Sequence, residues 1–221
     1  MKRLSRSKGL LSRFATQGLD RVLLSDEKLF TVEQASNRQN DRILSTCISA
    51  IPEKYRFVKR VQKPLSVMVL AGISSVGRTP LVFVPSGVKI NATTYKELIL
   101  EPLVKDLGKT MFENGSFVFQ QDGAPAHTAL STQECLSANI PHFITKVEWL
   151  PSSPDLNPLD FSLWSILESR ACSKSHTNIK SLKTSLRREW ENIPQEIVRT
   201  AVAVVNQRLK SVIKQKGGYI E

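Results

Sequence analysis

The stretch that most constrains this chain runs from Phe117 to Trp164. It opens Phe117-Val118-Phe119-Gln120-Gln121-Asp122-Gly123-Ala124-Pro125-Ala126-His127 and reaches Ser153-Pro154-Asp155-Leu156-Asn157-Pro158-Leu159-Asp160 near its end. An apolar strand delivers Asp122 into a Gly-Ala-Pro turn, and a connection then returns a second carboxylate at the start of a helix. In α/β sheets, ligands bind at the carboxyl ends of strands and the amino ends of helices. Chemistry is therefore expected here.

The flanking segments supply a sheet for these ends. Arg21–Val32 is apolar on both sides of Ser25-Asp26-Glu27, which reads as a strand whose central acids face solvent unless Asp26 points into a site. Leu65–Ile73 and Pro80–Pro85 read as two more strands, making an antiparallel meander around the turn at Gly77. Thr93 and Thr94 are expected to cap an amphipathic helix reaching Leu107. A helix over Thr128–Ala138, with Leu130, Cys135 and Leu136 inward, follows the central strand, and Phe143–Leu150 surrounds a fifth strand. Residues 33–60 read as loop.

Three strands, helix, strand, helix, strand and then helices is the element order of the ribonuclease H-like fold. The expectation is an α/β domain with a five-stranded mixed sheet flanked by helices and extended by C-terminal helices. In that arrangement the first and fourth strands are neighbours, so Asp26 and Asp122 face each other. Carboxylates that close repel unless a cation lies between them, and a hard divalent ion with oxygen ligands suits them. The third acid is open on local grounds. Asp155 sits in Ser-Pro-Asp-Leu, whereas Asp160 follows the N-cap Asn157 and Pro158, where it also serves merely to support the helix start.

Charge narrows the class of partner. The formal charge is +11 over 221 residues, which favours a polyanion. Residues 1–20 read as a basic arm or linker carrying Arg3, Arg6 and Lys8, and 21–221 as the folded domain. Arg3, Arg6, Lys8, Lys59, Arg60, Arg187 and Arg188 are read as candidate phosphate contacts, with solvated helix faces as the alternative. The three cysteines are scattered, without a CxxC pair, and read as reduced and mostly buried. No apolar run approaches the ~20 residues that span a bilayer, so no membrane partner is expected and the chain reads as intracellular.

Four strings then carry a resemblance: SDEKLFTVE, VMVLAGISSVGRTPLVFV, QQDGAPAH and SPDLNPLDFSLWSILE. Their order and nature resemble the catalytic domain of the mariner superfamily of cut-and-paste DNA transposases, over nearly the whole chain. The resemblance implies a catalytic triad of Asp26, Asp122 and Asp160, as in the longer-spaced all-aspartate branch, with Asp155 as a structural turn residue. It implies two Mg²⁺ or Mn²⁺ ions held by the triad, with strand cleavage and strand transfer at one site. It also implies double-stranded DNA as partner (transposon ends and target), a homodimer and a nuclear location. His127 stands where the family motif has a histidine and is read, with Asn157, as supporting the acids or touching DNA. Leu70 and Asn206 depart from an expected tryptophan and proline. Residues 1–20 leave no room for the family's pair of helix-turn-helix modules, so the expectation is a truncated copy. Two other readings remain: a host-derived DNA-binding protein without catalysis, and a ribonuclease H-like nuclease.

Overall fold

The first strand, β1 (Val22–Thr31), organises the sheet because both of its faces are covered. Val22, Leu24 and Phe30 point into one apolar cluster and Leu23 into another on the opposite face, the period-two alternation of a central strand. The structure, a computed structural model, describes residues 2–35, 42–57, 61–98, 100–102, 111–112, 115–140 and 142–220.

β2 (Ser66–Ser74) lies antiparallel to β1, with Leu24 opposite Ile73 and Thr31 opposite Ser66. The central strand of the key stretch, β5 (Val118–Gln120), lies parallel on the other side of β1, with Leu24 opposite Gln120. β6 (His142–Phe143) continues in parallel beside β5. The expected third strand is two short pieces, β3 (Gly77–Arg78) and β4 (Val82–Phe83), both paired with β2, so the sheet has six strands rather than five. Pro80 explains the break. It offers no N–H to the ladder, and the register slips by one residue across it, from Ile73 opposite Arg78 to Leu70 opposite Val82. Thr79 closes the gap by donating its N–H to Gly72 O (2.8 Å) while its Oγ1 accepts from Gly72 N–H (2.9 Å). A side chain at Gly72 would meet Leu23 and Thr79 at 3.1 and 3.2 Å, which fits the closeness of this crossing.

Helices cover both faces. On one lie α1 (Lys2–Gln17), α6 (Trp164–Ala171), α7 (Ile179–Glu191) and α8 (Gln195–Lys214), contributing Leu10, Phe14, Trp164, Leu186, Trp190 and Val205 to the larger cluster. On the other lie α3 (Ala92–Tyr95), α4 (Pro125–Thr128) and α5 (Leu130–Asn139), with Tyr95, Leu136 and Ile140 packed on Leu23, Leu70 and Phe119. The single turn α2 (Glu53–Arg56) lies in the segment between β1 and β2. Asn91, not Thr93 or Thr94, caps α3: its side chain accepts from the N–H groups of Thr93 and Thr94. Pro125 starts a separate single turn ahead of α5, which leaves Leu130 exposed rather than inward. Of the cysteines only Cys172 is buried; Cys47 is exposed.

The basic N-terminal helix docks on the body of the protein. Buried Leu10 and Phe14 fix it, and the Arg3 guanidinium pairs with Asp155 (2.7 Å), donates to Ser153 Oγ and donates through Nε to Gly217 O (3.0 Å). Asp155 also accepts from Ile220 N–H (3.3 Å). One arginine thus ties the first helix, the SPDLNP turn and the end of the chain together. Arg3 is not the free phosphate contact read from sequence, because its donors are spent inside the fold. We predict that Arg3→Met lowers unfolding free energy by about 3 kcal/mol, since the buried Asp155 loses its cation; urea denaturation checks this.

Candidate active site

β5 ends at Gln120, opposite Leu24, while β1 continues to Thr31. Beyond Leu24 the β5-facing edge of β1 is therefore unpaired, and Asp26 falls on this stretch. Asp122 lies two residues past the end of β5. Asn157 brings in the third acid: its Nδ2 donates to Ser25 O (3.1 Å) and its Oδ1 accepts from Leu159 N–H (3.2 Å). Ser25 Oγ in turn donates to Gln120 O (2.7 Å). These buried bonds join β1, β5 and the SPDLNP turn at one point. Pro158 and a π-helical turn at Leu159–Leu163 then lead into α6 with Asp160 in the first turn. Asp26, Asp122 and Asp160 all line one open cleft of about 580 Å³, with Glu27, Asn157, Arg6 and Lys146 also on its wall.

Asp26 is buried, and its pKa is pushed up to about 8, first by desolvation and then by the nearby Asp160, Glu27 and Asp122 charges. A hydrogen bond from Trp164 Nε1 to Asp26 Oδ2 (2.6 Å) opposes the rise and fixes the carboxyl plane. Asp160 is exposed yet also shifted upward, by partial burial offset by a hydrogen bond with Asp26. Charge on Asp160 thus opposes ionisation of Asp26, while the hydrogen bond between them favours the charged form of Asp160. Asp122 is shifted down despite desolvation, because His127 and the Ala124 N–H bond its carboxylate.

His127 is buried, with Nδ1 at 2.5 Å from Asp122 Oδ1 and Nε2 at 3.4 Å from Glu27 Oε1. Burial alone would lower its pKa; the two carboxylates outweigh it and hold the ring at about 9. Its ring packs on Tyr95 (centroids 4.1 Å), whose hydroxyl donates to Gln121 Oε1 (2.6 Å).

The cleft thus gathers the three predicted aspartates, with Asn157 and His127 behind them. Of the predicted cationic contacts, Arg6 reaches the cleft, although its Nη1 donates to Trp149 O (2.6 Å). Lys8 is exposed on α1 and Arg187 and Arg188 are exposed on α7, none of them on the cleft wall, and Lys59 and Arg60 lie outside the described residues. Arg187 instead lies over Phe83 (4.6 Å) and Arg188 pairs with Glu189 (2.9 Å). Sequence reasoning missed the parts played by Glu27 and Trp164. The adjacent acids Asp26 and Glu27 were a signal for the first, since neighbouring strand residues serve opposite faces; an apolar tryptophan in a helix carries no local signal for the second.

No family model matches the chain. It is 30% identical over 203 residues to the transposase of the transposable element Tc3 from Caenorhabditis elegans, covering 90% of this chain and 57% of that protein. The transposable element Tcb1 transposase of Caenorhabditis briggsae is 33% identical over 102 residues, 46% of this chain and 36% of that one. In sequence the chain is thus similar to transposases of the Tc1/mariner type. The solved catalytic domain of Mos1 mariner transposase superposes with a TM-score of 0.74 at 19% identity, over 100% of this chain and 94% of that one, which shows the fold. The chain of a Mos1 transposase paired-end complex with left transposon end gives 0.83 at 21%, over 100% of this chain and 62% of that one. The chain has the ribonuclease H-like fold of that domain and spans 57% of the Tc3 relative's length.

The raised pKa of Asp26 makes the site a pH-dependent liability without a cation. The unfolded chain loses this proton near its ordinary 3.8, whereas the folded one keeps it to about 8, so stability falls as pH rises from about 4 to 8. Asp26→Asn keeps an acceptor for Trp164 and removes the penalty. Urea unfolding of the metal-free proteins is expected to find the variant more stable by about 2–5 kcal/mol at pH 7.5, with the difference vanishing near pH 4.

Proposed function

We propose that this chain is the catalytic part of a cut-and-paste DNA transposase that cleaves DNA strands and joins the freed 3′ ends to a target. The observation that carries this reading is the meeting of Asp26, Asp122 and Asp160 in one cleft, from the middle of β1, the end of β5 and the helix start after the SPDLNP turn. Relatives named as transposases, and a fold shared with the Mos1 catalytic domain, support it.

The donor set fits divalent metal. It offers carboxylate oxygens only, in a partly buried cluster where Asp26 and Asp160 both hold their protons more tightly than free carboxyls do. Structures of the Mos1 catalytic domain with Mn and with Mg are among the fold neighbours. Asp26, Asp122 and Asp160 would hold two Mg²⁺ or Mn²⁺ ions, which supply positive charge for the scissile phosphate and acidify an attacking hydroxyl or water. The chain's own groups do the rest. Trp164 orients Asp26, Asn157 positions the turn that carries Asp160, and Arg6 and Lys146 place positive charge on the cleft wall, suited to a phosphate backbone. Double-stranded DNA is the substrate in this reading, supported by neighbours solved as transposon-end and strand-transfer complexes. Action as a homodimer on two DNA ends fits this reading, a neighbour having been solved as a paired-end complex, and a chromosomal DNA target fits a nuclear location. Among the described residues no helix is long and apolar enough to cross a membrane.

Purified chain is expected to nick or cut duplex DNA in Mn²⁺ and Mg²⁺ but not in EDTA. Asp122→Ala and Asp160→Ala are each expected to lose about 10²–10³-fold or more of that rate while keeping salt-sensitive DNA binding. Wild-type chain that binds DNA yet never cuts it under any metal would overturn the catalytic reading.

A further inference from the structure

Resting on the reading of Asp122 as a metal-holding carboxylate, we infer that Glu27 is a positioning residue, which acts through His127 to fix the oxygen that Asp122 presents to the cleft. Glu27 follows a catalytic aspartate in the strand but points to the opposite sheet face. There it meets His127 rather than the Trp164 side of the site.

The arrangement has a direction. His127 is clamped: its ring packs against Tyr95 with the planes tilted by 38°, and its backbone carbonyl accepts from Gln121 Nε2 (3.2 Å) and Gln133 Nε2 (2.9 Å). Nδ1 meets Asp122 Oδ1 at 2.5 Å, and the same oxygen accepts from Ala124 N–H at 2.9 Å. Two donors on Oδ1 leave Oδ2 as the oxygen free for a cation, and among the described residues no protein donor is assigned to Oδ2. On the far side of the ring, Glu27 Oε1 is buried with Nε2 facing it at 3.4 Å, and among the described residues no other group hydrogen-bonds it. A buried carboxylate oxygen whose polar neighbour is a ring nitrogen is placed to hold that ring.

Ligand atoms of Glu27, Asp122 and His127 also lie within 4.8 Å of one another, a spacing that direct metal ligation would use. The contact between Nδ1 and Oδ1 argues for the orienting role, because a cation between those two atoms needs them farther apart than 2.5 Å.

The test is Mn²⁺ binding to the full chain without DNA, followed by the loss of the free-ion electron paramagnetic resonance signal. Glu27→Gln and Glu27→Ala both remove the charge, but only alanine removes the acceptor for Nε2. The expected result is about 10-fold weaker Mn²⁺ binding in Glu27→Ala and largely restored binding in Glu27→Gln. In a His127→Asn background, which keeps a donor for Asp122 but no contact to Glu27, Glu27→Ala should have no further effect. Equal losses in the Gln and Ala variants would assign the effect to long-range charge and overturn the inference, as would an undiminished effect in the His127→Asn background. Nitrogen hyperfine coupling to bound Mn²⁺ that disappears in His127→Asn would make His127 a ligand and overturn it too. Asp122→Ala separates the two levels: if it abolishes binding while Glu27→Ala binds as wild type, only this inference falls. If Asp122→Ala binds normally, the metal reading of the site falls with it.

Discussion

Three carboxylates in one cleft repel one another, and much of the surrounding structure answers that repulsion. Asp26 alone could not remain charged where it is, buried and facing Asp160. The fold answers it by holding the Asp26 proton up to about pH 8 on one side and by setting His127 against Asp122 on the other. A divalent cation would take the place of that proton and leave the histidine where it is.

The division follows from the alternation of side chains along β1. Asp26 faces the helices of the larger cluster and is oriented by Trp164, itself wedged between Phe30 (5.8 Å) and Trp190 (6.0 Å). Glu27 faces the smaller cluster, where Tyr95 and Gln121 hold His127. Two successive residues therefore connect the site to both layers of the domain. The rigid parts are buried, and the reacting parts sit where β5 stops and β1 runs on.

Much of the site was legible because strand ends and helix starts leave local signatures. Asp122 before Gly-Ala-Pro, and Asn157-Pro158 before Asp160, mark those ends whatever lies around them. Asp155 against Asp160 could not be decided locally, since both follow turn residues; the structure separates them by partner, Arg3 for one and the Asp26 cluster for the other. The cationic residues were the least legible. Arg3 reads like any surface arginine, and only the docking of α1 beside the SPDLNP turn and the end of the chain consumes its donors.

What the sequence determined by itself was the element order, the neighbouring positions of the first and fourth strands, and the acids they carry, because periodicity, proline and caps act over a few residues. Only the tertiary structure decided which groups meet across the sheet: Asn157 with Ser25, Trp164 with Asp26, Glu27 with His127. The physical reason is range. A side chain's charge state and orientation depend on neighbours within a few ångströms, and here those neighbours lie about a hundred or more residues away along the chain.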